Sequence, residues 1–221
     1  SSTMAASSRW RPSAPATRSR KATCTSPFAT PSASAASPAG PFLTAWRSGS
    51  TAWADYYCTH ESPYGENDQI LINAAIRYLH EAYGGGEVKF FYGQYIIRPN
   101  ENVDGTWCGI RLYSDTTLDG INGSVLYSDS GVGGYSYFIV YGKGDSYSTP
   151  INNITIKNFT ITYNITGTYG GCVSIKYGDN VIISSNTFKD VLNADYCAYI
   201  NRCKNSRVVD NIFDNSGLSD S

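Results

Sequence analysis

The sequence predicts an all-β protein, a parallel β-helix or solenoid that begins with an amphipathic capping helix. Three observations lead to this prediction. The chain of 221 residues contains 21 glycines and 18 tyrosines but only 16% charged residues, it has one isolated amphipathic segment, and a repeat of about 25 residues follows that segment. Glycine and tyrosine favour tight turns and strands, whereas a helical bundle would carry more charge.

Charge is distributed unevenly along the chain. The net charge is −1, but no Asp or Glu precedes Asp55, and from there on 18 acidic residues stand against 11 basic ones, a balance of −7. A domain this acidic has no long-range attraction for nucleic acid or for an anionic membrane surface. No apolar run reaches the roughly 18 residues that cross a bilayer. The sequence therefore predicts neither a nucleic-acid partner nor a membrane span.

Residues 1–53 stand apart by composition. Ser, Ala, Thr, Pro and Arg dominate with little apolar periodicity, which predicts a disordered low-complexity segment. The segment fits a linker of a larger secreted protein, a targeting peptide or an artefact of a wrong reading frame, and no chemistry is inferred from it. The folded domain is expected to span residues 54–221.

The domain is expected to start with a helix and two short strands. The helix over residues 68–83 is indicated by apolar positions at helical spacing, namely Ile72, Ala75, Ile76 and Leu79. Asn67 or Asp68 can cap its start, and glycines 84–86 end it because glycine adopts the left-handed conformation at little cost. Short strands follow on either side of Gly93.

The repeat is the strongest signal for the fold. Nine-residue blocks align without gaps at 153–161 (NITIKNFTI), 180–188 (NVIISSNTF) and 205–213 (NSRVVDNIF), and a fainter copy starts at Asp115. The block starts lie 38, 27 and 25 residues apart. This period, with short strands ending at Gly, Asn or Asp, is typical of one turn of a solenoid whose coils stack about 4.8 Å apart.

Stacked coils would place equivalent residues in columns. The expected inward columns are Leu118, Ile156, Ile183 and Val208, and then Ile161, Phe188 and Phe213. Asn186 and Asn211 are expected to meet at a turn, where their amides satisfy each other. The leading helix would protect the exposed strand edge of the first coil. Because the other end has no comparable cap, we expect a C-terminal truncation, with further coils or domains of a longer chain, or a partner, covering it.

Four segments carry a family resemblance: ADYYC (54–58), NDQILINAAI (67–76), GGGEVKFFYGQYII (84–97) and LYSDTTLDGINGSVL (112–126). From residue 54 to 221 the chain resembles the pectate-lyase-like superfamily of right-handed parallel β-helix proteins. It is most similar in pattern to archaeal and bacterial surface proteins of that superfamily, including methanogen disaggregatase-type proteins. The resemblance implies an extracellular or cell-surface protein that acts on or binds polysaccharide along one sheet.

The reaction is less well indicated than the fold. The Asn-Thr-Asp and Gly-His-Gly motifs of polygalacturonase-like hydrolases are absent, since residues 186–188 read Asn-Thr-Phe. We therefore expect cleavage of an acidic or cell-envelope glycan, by a lyase rather than a hydrolase. The alternative is a non-catalytic glycan-binding, adhesin-like or structural β-helix. An enzyme should have acidic and basic side chains grouped on the outer face of one sheet, and a structural β-helix should not.

Three carboxylates are candidate catalytic residues. In the 25-residue register Asp195 lies over Asp220, and Asp190 precedes Asp195 by five residues. Stacked carboxylates either raise the pKa of one partner or share a cation such as calcium. The other reading is that they lie on solvated loops.

Basic and aromatic residues of the repeat form a second set of candidates. β-Elimination needs a basic group that removes the C5 proton of a uronic acid and a cation that acidifies this proton, and Lys176 and Arg207 are the candidate catalytic residues of this kind. Alternation places Lys176 beside Asn201 and Tyr199 on an outer face, and substrate-binding candidates are Tyr177, Tyr199, Asn201 and Arg202. An ordinary wet surface is the alternative reading.

The aromatic and cysteine residues leave further alternatives open. Tyrosines 127, 135, 137, 141 and 147 crowd one Gly/Ser-rich stretch, where they either stack on sugars or pack in the fold. Cys172 and Cys197 occupy equivalent positions, which is compatible with a disulfide or with simple stacking. The six cysteines show no pattern typical of zinc ligands.

Overall fold

A computed structural model describes residues 51–53, 68–90, 93–165 and 169–216, without the side chains of residues 51–53, 71 and 122. These residues contain one helix, α1 (Asp68–Tyr83), among many strands. The strands are β1 (Thr51–Trp53), β2 (Gly86–Phe90), β3 (Gly93–Ile96), β4 (Glu101–Val103), β5 (Thr106–Arg111), β6 (Thr116–Ser128), β7 (Ser136–Lys143), β8 (Ile151–Tyr163), β9 (Tyr169–Lys176), β10 (Gly178–Ser184), β11 (Thr187–Lys189), β12 (Tyr196–Asn201), β13 (Arg207–Val209) and β14 (Ile212–Asp214). The prediction of an all-β fold with one leading helix is confirmed.

The strands form two sheets, and the chain alternates between them. The first sheet has the order β1-β2-β6-β8-β10-β13, with β3, β11 and β14 attached beside it. The second sheet has the order β12-β9-β7-β5-β4. Pairing within the described strands is parallel except between β4 and β5, which form an antiparallel hairpin. Each return to a sheet therefore adds the next strand to the same edge.

The predicted columns are confirmed by the pairing register. Ile183 pairs with Ile156 and with Val208, and Leu118 pairs with Ile156. Phe188 likewise pairs with Ile161 and Phe213. All but the last members of both columns are fully buried, whereas Val208 is 41% and Phe213 55% exposed. The expected burial is therefore wrong for these two residues, because β13 and β14 have a strand neighbour on one side only among the described strands.

Helix α1 packs its predicted apolar side against the start of the sheets. Ile72, Ala75, Ile76 and Leu79 are buried, and the helix contacts β1, β2, β3 and β5. The chain then leaves the helix through Gly84, whose φ of 76° is the left-handed conformation expected there. Asn67, the alternative cap residue, lies outside the described residues.

Polar side chains of α1 also bond to the neighbouring backbone. Asp68 Oδ2 accepts a hydrogen bond from Ile96 N at 2.9 Å. Asn73 bonds twice, with Oδ1 accepting from Arg111 N at 2.8 Å and Nδ2 donating to Gly109 O at 2.7 Å. The helix therefore covers apolar surface and also satisfies backbone groups of the chain that follows it.

The first sheet begins before the expected domain boundary. Strand β1 pairs in parallel with β2, from Thr51 beside Glu87 to Trp53 beside Lys89. These three residues of the segment 1–53 thus belong to the sheet. The rest of that segment lies outside the described residues.

Candidate functional site

The predicted group of Lys176, Tyr199 and Asn201 lies together on the second sheet. Asn201 pairs with Lys176, Tyr199 pairs with Ser174, and the Asn201 amide donates a hydrogen bond to the Tyr199 hydroxyl. Gly142 and Ile175 mark the interior side, because a Cβ on Gly142 would meet the Ile175 side chain. Alternation turns Lys176 to the opposite, outer side. The predicted adjacency is confirmed.

Tyr177 and Arg202 extend this group by one residue along the strands. The Arg202 guanidinium lies 5.4 Å from the Tyr177 ring centroid and donates to the Tyr177 hydroxyl. Tyr147 packs edge-on against Tyr177 at 5.5 Å and is 63% exposed. We call Lys176, Tyr177, Tyr199, Asn201 and Arg202 the outer patch. It combines two cations, an amide and two half-buried aromatic rings.

The outer patch rests on an apolar layer that the sequence analysis did not foresee. Cys108, Phe138 and Tyr141 form a buried cluster, against which Val103 and Tyr199 pack. The Lys176 Nζ lies 5.9 Å from the Tyr141 ring centroid. Ser174, which pairs with Tyr199 on one side and with Tyr141 on the other, is fully buried. The patch is thus supported from below and is not simply a row of solvated side chains.

Cations near the β4–β5 hairpin are paired, in contrast to those of the patch. Arg111 binds Glu101 at 3.2 Å, and Lys143 forms a hydrogen-bonded ion pair with Asp104. That contact lowers the pKa of the Asp104 carboxyl and raises the pKa of Lys143. Within the described residues, neither Lys176 nor Arg202 has a carboxylate at salt-bridge distance. The outer patch therefore keeps two uncompensated positive charges.

A cleft of about 200 Å³ adjoins the outer patch on the side of Lys143. It is lined in part by His80, Arg111, Tyr113, Lys143 and Asp145. The His80 ring stacks on Tyr113 at 4.8 Å, and the Arg111 guanidinium lies 5.1 Å from the same ring. Sequence reasoning missed Lys143 because it pairs with Lys176 across 33 residues, an interval outside the 25-residue repeat.

The two candidate carboxylates that the structure describes accept hydrogen bonds from segments 25 residues away. Asp190 Oδ1 accepts from Asn215 Nδ2 at 2.8 Å, and Asp195 Oδ2 accepts from Gly170 N at 2.7 Å. Asp220 lies outside the described residues, so the expected pair of Asp195 and Asp220 stays a prediction. Both described carboxylates already hold neighbouring segments in place, which is the structural alternative to catalysis.

Arg207 is the candidate that the fold separates from the others. It lies on β13 of the first sheet, in register with Ile182, which in turn pairs with Thr155. These three residues therefore form one column across the first sheet. Lys176 lies on the second sheet, so the two candidate catalytic cations do not share a surface.

Comparison with known proteins yields no assignment. No protein-family model matches the chain, and no curated protein matches it. The outer patch therefore has to be interpreted from its own chemistry.

Three further expectations concern a metal site, a membrane span and a disulfide bond. In the part of the chain that the structure describes, no group of three His, Cys, Asp or Glu residues is placed to hold a metal ion, so the expected calcium has no evident site there. None of the described helices has the length and apolar character of a membrane span. Cys172 and Cys197 are free thiols, which favours stacking over the disulfide alternative.

The tyrosine-rich stretch divides between core and surface. Tyr137 is fully buried and donates a hydrogen bond to Ile97 O at 3.1 Å, and Tyr141 belongs to the layer beneath the patch. Tyr135 and Tyr147 are exposed. Tyr147 contacts Tyr177 of the outer patch from the exposed side, and the Tyr141 ring lies beneath Lys176.

Proposed function

We propose that this chain is an extracellular or cell-surface protein of the right-handed parallel β-helix type that binds an acidic polysaccharide across its second sheet. The architecture is inferred from strands that return to the same two sheets in parallel register. The observation that supports the function is the outer patch, in which Lys176 and Arg202 lie beside half-buried tyrosines and lack carboxylate partners among the described residues.

The chemistry of the patch matches a chain of uronic acids. Ammonium and guanidinium groups form charge-assisted hydrogen bonds with carboxylates, and a guanidinium can do so in bidentate fashion. Tyrosine rings offer an apolar face for the C–H side of a sugar and a hydroxyl for its polar edge. The Asn201 amide adds a donor and an acceptor between the two. Uncompensated charges in this setting favour an anionic ligand over a neutral one.

β-Elimination is the cleavage reaction that such a patch would support. A basic side chain takes the C5 proton of a uronate, the C4–O bond breaks as the C4–C5 double bond forms, and water protonates the departing oxygen. Lys176 is the candidate base and would act in its neutral, deprotonated form, and Arg202 is the candidate to neutralise the carboxylate that acidifies C5. A non-catalytic adhesin-like or structural role is the second candidate, and the ion-paired charges on the first sheet favour it there.

Binding to an immobilised acidic polymer tests the proposal. The full chain is applied to polygalacturonate at several salt concentrations, together with the variants Lys176→Ala, Arg202→Ala and Arg207→Ala. Each patch variant should weaken binding about tenfold or more, because a charge-assisted bond is worth about 1.5–3 kcal/mol. Arg207→Ala is the matched control on the other sheet and should bind as the unaltered chain does.

Equal losses from Arg207→Ala and from the patch variants would contradict the assignment to the second sheet. Binding that persists undiminished in the Lys176→Ala/Arg202→Ala double variant would remove the patch from consideration. The same polymer, incubated with and without calcium, reports cleavage by the ultraviolet absorbance of unsaturated ends. Binding without new ends would favour the non-catalytic candidate.

A further inference from the structure

A second groove lies on the outer face of the first sheet, where α1 ends. Its lining includes Tyr83, Glu87, Asp115, Thr117, Thr155 and Lys157, and its volume is about 750 Å³. This volume is within the range of sites that hold small organic ligands. We call this feature the helix-end groove. It shares no lining residue with the outer patch.

The floor of the helix-end groove is formed by residues with small or no side chains. Gly84, Gly85 and Gly86 line it, and a Cβ on Gly85 would come within 2.4 Å of Asp115. Thr117 pairs with Glu87 on one side and with Thr155 on the other, so two hydroxyl-bearing side chains lie next to each other. The close contact at Gly85 excludes any larger residue there, so the backbone itself lines this part of the groove.

Charges at the helix-end groove are paired and slightly acidic in sum. The Lys157 Nζ lies 3.1 Å from Asp119 and 3.7 Å from Glu87, and the Lys89 Nζ lies 3.4 Å from Glu87. Asp115 accepts a hydrogen bond from Asn153 and has no lysine or arginine at salt-bridge distance among the described residues. Among the described lining residues two carboxylates, of Glu87 and Asp115, thus stand against one ammonium group, of Lys157, the reverse of the balance on the outer patch.

Tyr83 provides an aromatic wall for the helix-end groove. It is 49% exposed, and Tyr78 packs against it edge-on with ring centroids 6.1 Å apart. An exposed ring beside carboxylates and hydroxyls can stack on the C–H face of a sugar while the polar groups bond its hydroxyls. The Asp115 carboxylate, which has no lysine or arginine at salt-bridge distance among the described residues, would repel a carboxylate brought by a ligand.

From this combination we propose that the helix-end groove is a second saccharide site, which takes oligosaccharides without acidic groups, neutral or amino-bearing. The proposal does not depend on the acidic-glycan function of the outer patch, because the two surfaces differ in residues and in sign of charge. A chain carrying both sites would bind two chemically different glycans at once.

Calorimetric titration of the full chain with three hexamers tests the proposal. The probes are cellohexaose, a fully deacetylated chitosan hexamer and a galacturonate hexamer. Cellohexaose or the chitosan hexamer should bind, and Tyr83→Ala should weaken that binding about tenfold. Thr155→Val removes one hydroxyl with little change of volume and should weaken it about threefold or more.

The controls separate this site from the outer patch. Tyr135→Ala, an equally exposed tyrosine outside both surfaces, should leave all binding unchanged, and Lys176→Ala should affect the galacturonate hexamer alone. The proposal is overturned if neither non-acidic hexamer binds at millimolar concentration, or if Tyr83→Ala and Thr155→Val both leave such binding unaltered. If the unaltered chain binds cellohexaose or the chitosan hexamer but not the galacturonate hexamer, the result would count against the proposed function only.

Discussion

Single asparagine side chains stabilise turns of this protein by hydrogen bonds to the backbone. Asn186 is buried, accepts a hydrogen bond from Phe159 N at 3.1 Å, and donates to Ile156 O at 3.0 Å. Its neighbour Asn211 repeats this arrangement, accepting from Asn186 N at 2.9 Å and donating to Ile183 O at 2.8 Å. Each asparagine thus serves the strand that precedes it in the sheet, and the two amides also bond to each other at 3.1 Å.

Removal of the Asn186 amide should therefore be costly. Asn186→Ala leaves a buried N–H and a buried C=O without their partner, which predicts a loss of about 2–3 kcal/mol in the free energy of unfolding. Urea denaturation measures this change. Asn164→Ala is the control, because Asn164 is exposed, and it should stay within about 0.5 kcal/mol of the unaltered chain. Equal effects of both substitutions would argue against this role of the Asn186 hydrogen bonds.

The buried thiol Cys108 should make stability fall at alkaline pH. Burial, and to a lesser extent the charge of Glu101, raises the pKa of Cys108 from 9.0 to about 12 in the folded chain. Above pH 9 the unfolded chain loses this proton while the folded chain keeps it, so the unfolded state becomes more stable relative to the folded state. The contribution is intact below pH 9 and is lost as pH rises towards 12, by at most about 1.4 kcal/mol per pH unit.

Urea denaturation at pH 9 and at pH 11 tests this expectation. Cys108→Ala should lose about 1–2 kcal/mol less over this interval than the unaltered chain does. Val103→Ala disturbs the same cluster but keeps the thiol, and should retain the steeper pH dependence. Identical slopes in all three proteins would mean that Cys108 does not titrate in this way.

At the level of elements, the helix is a cover that is held by both apolar and polar contacts. Its side chains Ile76 and Leu79 are buried. Gln69 Oε1 accepts a hydrogen bond from Arg98 N at 3.2 Å, and Asn73 forms hydrogen bonds with Gly109 and Arg111. Backbone groups at the start of a sheet otherwise face solvent or other chains. The helix therefore protects the first strands in two ways at once.

Two isoleucines on opposite sides of α1 separate packing from helix propensity. Ile76→Ala removes a buried side chain and should lower the free energy of unfolding by about 2–4 kcal/mol. Ile70→Ala is the matched control, since Ile70 is 49% exposed, and should change it by about 0.5 kcal/mol or less. Thermal or urea unfolding distinguishes the two. Similar losses would indicate that the helix acts through its own stability and not through its contacts.

Over the whole molecule, residues of one column are not equivalent. Phe188 is fully buried between Ile161 and Phe213, whereas Phe213 stacks on Phe188 at 5.2 Å and remains 55% exposed. The repeat presents these phenylalanines as copies of one another. Their energetic weight depends on how many neighbours the sheet supplies on either side.

This difference gives a prediction for two identical substitutions. Phe188→Ala should cost about 3–5 kcal/mol, as expected for a fully buried ring. Phe213→Ala should cost about 1 kcal/mol, because much of its surface faces solvent already. The unfolding free energies of the two variants, measured side by side, test the column arrangement. A larger loss at Phe213 would indicate that this residue is covered in solution.

The whole molecule also sets the contrast between its two outer faces. On the first sheet Lys157 is shared by Asp119 and Glu87, whereas on the second sheet Lys176 faces the Tyr141 ring. Surface ion pairs of this kind contribute little to stability. Their main effect here is to decide which face offers free positive charge to a ligand.

The amino-acid sequence alone determined the leading helix, the strand-rich fold and the inward columns. Apolar side chains at regular intervals, with Gly, Asn and Asp at the turns, specify these features locally, and the columns of Ile156 and Phe188 were predictable from a repeat of 25 to 27 residues. The adjacency of Lys176, Tyr199 and Asn201 was predictable for the same reason, because these residues lie one repeat or less apart.

Only the tertiary structure decided which of these side chains remain free to bind. Lys143 meets Asp104 across 39 residues and Lys176 across 33, and Arg207 lies on the other sheet. These separations fall outside the repeat, since the loops between strands differ in length from one turn to the next. Charge pairing depends on distances of a few ångströms, and such distances arise only after strands remote in sequence have aligned side by side.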